Sequence, residues 1–110
     1  HTFNPPVRSE QETLDEIRSI AKEVVQALKN KKMHGKTLVL KLRDEMFNTT
    51  THRATFNDFI ENDPNVIYNL AVDILEEIGG YTTPLRLVGL TVTGLTPISF
   101  ENITLSLYES

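Results

Sequence analysis

The sequence predicts one α+β domain, in which a four-stranded antiparallel sheet carries two helices on one face. Two segments place apolar residues at helical spacing, and each begins at a favourable capping residue. Other segments alternate apolar with polar residues, as half-buried strands do. The chain has 110 residues and no cysteine, so one domain with one core and no disulfide is expected.

The N-terminal part predicts a short strand and a long helix. Residues 1–4 are expected to be extended, and Pro5-Pro6 to end this strand because proline cannot donate a ladder hydrogen bond. The helix is expected from about residue 10 to residue 30, with Ser9 as its N-cap and Glu12 at the capping-box position. Its buried stripe comprises Leu14, Ile17, Ile20, Ala21, Val24, Val25 and Leu28.

The middle of the chain predicts two strands joined by a turn. In residues 36–43, Leu38, Leu40 and Leu42 alternate with residues suited to solvent, which is typical of a strand with one wet face. Asp44-Glu45 is expected to turn the chain. The threonine-rich residues 48–56 then form the next strand, because threonine favours strands.

A second helix and a last strand complete the fold. The helix is expected to start at Asp63-Pro64, since aspartate caps a helix and proline suits its first position, and to stop at Gly79-Gly80. The last strand covers residues 84–93. The expected buried residues are Ile67, Leu70, Ala71, Ile74, Leu75 and Ile78 on the helix, and Val88, Leu90 and Val92 on the strand.

The order strand, helix, strand, strand, helix, strand is typical of ferredoxin-like folds. Both helices then cover one face of the sheet, and the other face is open to solvent or to a ligand. We expect residues 1–96 to form this domain and residues 97–110 to be an extended C-terminal tail, with no partner from Thr96 onward. Because the chain begins with His1 rather than Met, we expect a fragment of a longer protein.

The charges are distributed unevenly. The formal net charge of −4 argues against a nucleic-acid partner for the chain as a whole. Residues 36–43, 48–56 and 84–93 nevertheless contain no Asp or Glu, whereas the helices are mainly acidic. Basic and hydroxyl side chains are the usual contacts of phosphate oxygens, but they are also ordinary on a solvated strand. The strand bases are Lys36, Lys41, Arg43, Arg53 and Arg86.

The sequence lacks the patterns of an enzyme. It has no Walker-type glycine loop and no G-x-S-x-G motif, and the predicted strands offer no acids for a two-metal site. His52 is far in sequence from His1 and His34, so no metal site is expected. There is no run of 18 apolar residues, so no segment is expected to span a membrane, and there is no signal peptide. The absence of cysteine is compatible with a reducing cytoplasm, and we expect a cytoplasmic chain.

Several motifs resemble a known family. Residues 84–95, PLRLVGLTVTGL, resemble the last strand of the C-terminal domain of Y-family DNA polymerases, where R-x-x-G-[VL]-x-V recurs. Residues 47–56, FNTTTHRATF, are similar to the F-x-T-x-T-x-x-x-T strand of that domain. The helix that begins at Asp63 resembles its second helix. Together these segments are in the right order, and the resemblance covers nearly the whole chain.

The resemblance implies a little-finger domain of a translesion polymerase that acts on damaged DNA. Such a domain holds double-stranded primer–template DNA against its open sheet face and has no catalytic residue or cofactor, while the rest of the polymerase binds Mg²⁺ and transfers nucleotides. It implies a monomer. Leu87 and Thr91 stand where the family often has bases, which predicts weak binding by the isolated domain. The implied DNA-binding residues are Lys41, Arg43, Thr49, Thr51, Arg53, Thr55, Arg86, Thr91 and Thr93.

The tail carries a second resemblance. Residues 102–108, NITLSLY, are similar to the clamp-binding peptide of bacterial polymerases, Q-[LI]-x-L-x-[LF], with asparagine in place of glutamine. Apolar anchors on such a peptide fill a groove of the sliding clamp. The alternative is a frayed extra strand, because alternation is also typical of strands. The implied clamp-binding residues are Asn102, Ile103, Leu105, Leu107 and Tyr108.

Two other functions remain open from the sequence. An RNA-binding module on the same fold would stack bases on aromatic residues of the central strands, a pair that the predicted open face lacks. A dimerising or regulatory domain would instead pair its sheet face with that of a second copy.

Overall fold

The computed structural model describes residues 1–98, and its main sheet confirms the predicted α+β fold. Strands β1, β5, β3 and β4 form an antiparallel four-stranded sheet in that order. Both helices pack on one face of it. The elements are β1 (Thr2–Val7), α1 (Glu10–Lys31), β2 (Met33–His34), β3 (Thr37–Asp44), β4 (Thr49–Thr55), α2 (Pro64–Glu77), β5 (Leu85–Thr93) and β6 (Thr96–Pro97).

Each helix crosses over one intervening strand. Helix α1 connects β1 to β3, and β5 lies between these two strands. Helix α2 connects β4 to β5, and β3 lies between them. These are split β-α-β units, and they place both crossovers on the same side of the sheet. The opposite side is therefore left uncovered by the described elements.

The first strand is longer than predicted. The expectation that Pro5-Pro6 would end it is wrong, because β1 continues through both prolines to Val7. Within residues 1–98, strand β1 is an edge strand that pairs only with β5, and its register shifts between Thr2 and Val7. A proline at an edge costs no ladder hydrogen bond when its nitrogen faces away from the neighbouring strand.

The helix caps agree with the prediction. The backbone N–H of Glu12 donates to Oγ of Ser9 at 3.1 Å, and the N–H of Asn65 donates to Oδ1 of Asp63 at 2.8 Å. Each bond satisfies an amide in the first turn that has no partner within the helix. Helix α1 begins as predicted and ends one residue later than predicted, at Lys31.

The core lies between the helices and the covered face of the sheet. Leu38, Leu40 and Leu42 of β3 are directly opposite Val92, Leu90 and Val88 of β5, and all six are buried. Ile17 of α1 and Ile67 of α2 are completely buried in the same cluster. The leucines of β3 therefore point to the core, as their alternation predicted.

The chain after β5 does have a partner. Contrary to expectation, Thr96 and Pro97 form β6, which pairs with Met33 and His34 of β2. The N–H of Ile98 also donates to the carbonyl of Lys32 at 2.8 Å. A strand of two residues needs a neighbour that is distant in sequence, so no local pattern predicts it. The assignment of residues 97–110 to a separate tail remains a prediction.

We expect Leu40→Ala to cost about 2–5 kcal/mol of unfolding free energy, because Leu40 is completely buried. Val39→Ala, one residue away on the half-exposed side of the same strand, should cost about 1 kcal/mol or less. Urea denaturation of both variants measures the difference. Equal losses would show that the two sides of β3 are not distinguished as the structure places them.

The His1 imidazole predicts a pH dependence of stability. Nδ1 of His1 lies 2.9 Å from Oε2 of Glu16, and the ring also contacts Glu23. The hydrogen bond with Glu16 and the contact with Glu23 raise the pKa of His1 above 6.5, although burial opposes the shift. A raised pKa contributes stability that is complete below pH 6.5 and is lost as the pH rises through the folded-state value. The melting temperature of the wild type should exceed that of His1→Gln most at about pH 5, and the difference should shrink towards about pH 8. Parallel pH curves would contradict this contribution.

Candidate nucleic-acid interface

The strand register determines which side chains share the uncovered face. Residues directly opposite one another in an antiparallel pair project to the same side of the sheet. Because Leu38, Leu40 and Leu42 point to the core, the alternate residues of β3 point away from it, together with their partners. We call this surface the open face. Its four cross-strand rows, written from β4 to β5, are Thr55–Thr37–Thr93, Arg53–Val39–Thr91, Thr51–Lys41–Gly89 and Thr49–Arg43–Leu87.

Eight of the nine residues that the sequence predicts to contact DNA lie in these rows. Lys41 and Arg53 are exposed, and Arg43 is partly covered. Their role in binding DNA remains a prediction, but their common location on one surface follows from the register. The eight residues are Lys41, Arg43, Thr49, Thr51, Arg53, Thr55, Thr91 and Thr93.

Arg86, the ninth, lies at the start of β5 beside the β3–β4 turn. Arg43 pairs with Leu87 and Asp44 pairs with Leu85, so Arg86 is the additional residue of a bulge. Its guanidinium carbon lies 4.6 Å from the centroid of the Phe47 ring, and its Nε donates to the carbonyl of Glu45 at 3.3 Å. Arg86 therefore contacts and stabilises the turn. Strict alternation along the sequence could not predict this position.

The turn itself is held by Asp44. Strand β3 extends to this residue, so it ends in one acidic side chain that the predicted range of 36–43 did not include. Oδ1 of Asp44 accepts hydrogen bonds from the N–H groups of Met46 and Asn48, each at 2.9 Å. The bond from Asn48 is the main cause that lowers the pKa of Asp44. The carboxylate is thus engaged by the turn and adds no acid to the four rows.

The open face is positively charged and rich in hydroxyl groups. The rows contain Lys41, Arg43 and Arg53 and no acid. None of these three bases takes part in the ion pairs found within residues 1–98, which join His1 to two glutamates and Arg8 to Glu45. Nε of Arg43 donates to Oγ1 of Thr49 at 2.9 Å, which orients this guanidinium along the surface.

No row position is aromatic. The exposed ring of Phe47 lies on the turn, and Phe59 stacks on His34 of β2 with ring centroids 3.6 Å apart. RNA-binding sheets stack bases on aromatic residues of their central strands. The geometry of the open face thus favours contacts with a phosphate backbone over stacking with bases.

Other kinds of site find no support within residues 1–98. No three of the His, Cys, Asp and Glu residues there are grouped so that they could hold a metal ion. No helix in this range has the length and apolar character needed to cross a membrane. A cavity of about 240 Å³ lies on the helix side, where it is lined by residues that include His52, Leu75 and Tyr81. It does not reach the four rows.

A comparison with protein families decides the identity of the domain. The model of the impB/mucB/samB family C-terminal domain matches residues 1–105. The chain belongs to this family. Its members are the little-finger domains of Y-family polymerases, so the resemblance seen in the sequence is confirmed. The little finger is itself non-catalytic.

Relatives of the little finger carry a common name. A protein of Listeria monocytogenes serotype 4a (strain HCC23), named DNA polymerase IV, is 45% identical over 89 residues, which cover 81% of this chain and 25% of the relative. A DNA polymerase IV of Staphylococcus saprophyticus is 29% identical over 104 residues, which cover 94% of this chain and 29% of the relative. The chain thus spans about a quarter of the length of the curated relatives that it matches.

The tail carries the predicted clamp-binding residues. They are Asn102, Ile103, Leu105, Leu107 and Tyr108, and they lie outside the described residues.

Proposed function

We propose that this chain is the little finger of a translesion DNA polymerase IV, and that its open face holds primer–template DNA. The observation that supports the proposal best is the composition of the four rows, in which three bases and six threonines share one surface without an acid. Arginine, lysine and threonine side chains are the usual partners of phosphate oxygens, and such contacts carry no sequence information. A polymerase that copies any template requires binding of this kind.

The spacing of the rows suits a sugar-phosphate backbone. Alternate residues of a strand repeat at about 6.6–6.8 Å on one face, and neighbouring strands lie about 4.8 Å apart. Lys41 and Arg53 belong to adjacent rows and to neighbouring strands, so their charges can contact successive phosphates. The threonine hydroxyls beside them supply short donors that need little ordering.

The acidic helices orient the domain. Helix α2 contains Asp73, Glu76 and Glu77 and no base, and α1 contains five acids along with its bases. Both helices lie on the side of the sheet away from the open face. A duplex is therefore repelled by one side and attracted by the other, which selects the productive orientation before contact. In this way a chain with a net charge of −4 can still bind DNA.

The proposed function assigns the chemistry to other parts of the polymerase. Within residues 1–98 no acidic cluster could hold catalytic metals, so Mg²⁺ and nucleotidyl transfer would belong to the palm, fingers and thumb. The little finger would act as a monomer, because a second copy on the open face would exclude the duplex. The bacterial relatives favour the cytoplasm as the place of action.

We further propose that the tail binds the sliding clamp. The support is the sequence of residues 102–108, in which Ile103, Leu105 and Leu107 alternate with polar residues and Tyr108 follows. A short peptide of this kind is captured by apolar anchors that fill a groove. Such binding would leave the open face available for DNA.

We expect the affinity of the chain for a primer–template duplex to fall steeply with salt, with a slope of about −0.9 per neutralised phosphate. Lys41→Ala should reduce the magnitude of the slope by about 0.9, because it removes one phosphate contact. The matched control is Lys22→Ala, the same substitution at an exposed position of α1. Fluorescence anisotropy at several salt concentrations gives the three slopes.

Two results would contradict the proposed DNA surface. One is a wild-type chain that fails to bind the duplex even at low salt, or that binds it independently of salt. The other is a Lys22→Ala variant that loses as much of the salt dependence as Lys41→Ala, because the contacts would then not be confined to the open face.

For the tail, we expect the double substitution Leu105→Ala and Leu107→Ala to abolish binding to a purified bacterial sliding clamp. The melting temperature should stay unchanged, because the peptide binds through anchors and is not needed for the fold. Ser106→Ala, between the two leucines, is the control and should retain clamp affinity. Unaltered affinity of the double variant, measured by surface plasmon resonance, would exclude these leucines as the anchors.

A further inference from the structure

Close packing or a positive φ angle explains why four of the five positions occupied by glycine require that residue. A Cβ atom on Gly35 would lie 2.5 Å from the carbonyl oxygen of Thr93, so the packing permits no side chain there. Gly79, Gly80 and Gly94 have φ angles of +102°, +75° and +67°. Residues other than glycine rarely adopt such backbone angles.

Gly89 has neither of these reasons. Its φ angle is not in the positive range, and a Cβ atom there would lie 3.8 Å from Cβ of Lys41 and 4.0 Å from Cδ2 of Leu87, which are ordinary contacts. The residue lies in the middle of β5 and pairs with Lys41 of β3. Glycine in such a position loses more conformational entropy on folding than alanine would. The fold would thus accept alanine and gain from it.

The position of Gly89 on the open face supplies a reason. Gly89 lies directly opposite Lys41, and Lys41 lies directly opposite Thr51, so the three residues form one cross-strand row. Lys41 and Thr51 are both exposed. Along β5 the row is bordered on this face by Leu87 and Thr91. The row therefore has a bare strand at one end, an ammonium group in the middle and a hydroxyl group at the other end.

We propose that the row Thr51–Lys41–Gly89 binds one phosphodiester of the duplex, with the sugar-phosphate backbone resting on the bare strand at Gly89. A glycine inside a strand often marks a place where a ligand approaches the backbone closely. A side chain at position 89 would hold the sugar away from β5 and lengthen the contacts from Nζ of Lys41 and Oγ1 of Thr51 to the phosphate oxygens. The inference rests on the proposed function and assigns one phosphate of it to a defined place.

The test is to fill the row without disturbing the fold. Gly89→Ala and Gly89→Val are compared with the wild type for melting temperature and for affinity to a primer–template duplex at low salt. Gly89→Ala should melt at the same temperature or higher and bind several-fold more weakly. Gly89→Val should bind about tenfold more weakly or worse, which is the effect of losing one charge-assisted contact. Its salt slope should be smaller by about 0.9.

Two controls make the test specific. Ala54→Val adds bulk on β4 but on the helix side of the sheet, because Ala54 pairs with the buried Leu38, and it should leave DNA affinity unchanged. Adding Lys41→Ala to Gly89→Val should weaken binding little beyond the stronger single effect, because both substitutions act on the same phosphate. If Gly89→Val does not fold, Gly89→Ala and Gly89→Ser give the same readouts.

The outcomes separate this inference from the proposed function. If the wild type binds with a normal salt dependence and the folded Gly89 variants bind equally well, the phosphodiester site is excluded while the DNA surface stands. If the losses of binding free energy caused by Gly89→Val and Lys41→Ala add fully in the double variant, the two residues do not share a phosphate. The site is then also excluded. If the wild type shows no salt-dependent binding, both proposals fail together.

Discussion

The register of the central strand β3 is the constraint on which the rest of the structure depends. β3 is hydrogen-bonded to β4 on one side and to β5 on the other, and its side chains alternate strictly between the two faces. Leu40 is completely buried, whereas Lys41, the next residue, is exposed. A shift of one residue would place the lysine in the core and the leucine in solvent, which makes every other register unfavourable. The hydrophobic core and the open face are therefore specified by the same alternation.

This coupling explains how an acidic chain can present a basic surface. Burial of the leucine side of β3 requires helices on that side, and the acids of α1 and α2 remain at the solvent side of those helices. On the opposite face, nine of the twelve row positions are bases or threonines, and the other three are Val39, Leu87 and Gly89. The net charge of −4 thus conceals two surfaces of opposite character. For binding, the local field at the contact surface matters more than the sum.

The sequence predicted those features that depend on local chemistry or on a strict period. The caps Ser9 and Asp63 and the alternation around Leu40 have signals within a few residues, and the period of two also placed eight of the nine predicted residues on one face. The features that failed depend on distant neighbours. Whether Pro5 can lie in a strand depends on which edge of β1 is free, and β6 exists only because β2 lies beside it. The bulge at Arg86 interrupts the two-residue alternation of β5, so the alternation could not predict that the Arg86 side chain lies against Phe47.

The modest number of bases on the open face agrees with a domain that works in tandem with others. Three bases in the rows can neutralise only a few phosphates, and Leu87 occupies a row position at which another base would strengthen binding. Within the proposed polymerase the little finger is covalently linked to the catalytic domains, so its encounter with DNA is intramolecular and benefits from a high effective concentration. Strong intrinsic affinity is then unnecessary, and it would oppose movement, because each further ionic contact must be broken and re-formed as the enzyme advances along the duplex. Threonine hydroxyls and the close approach proposed at Gly89 would fix the distance between sheet and backbone without adding charge. A sparse set of contacts is therefore the arrangement expected of a domain that must hold DNA and release it at every step.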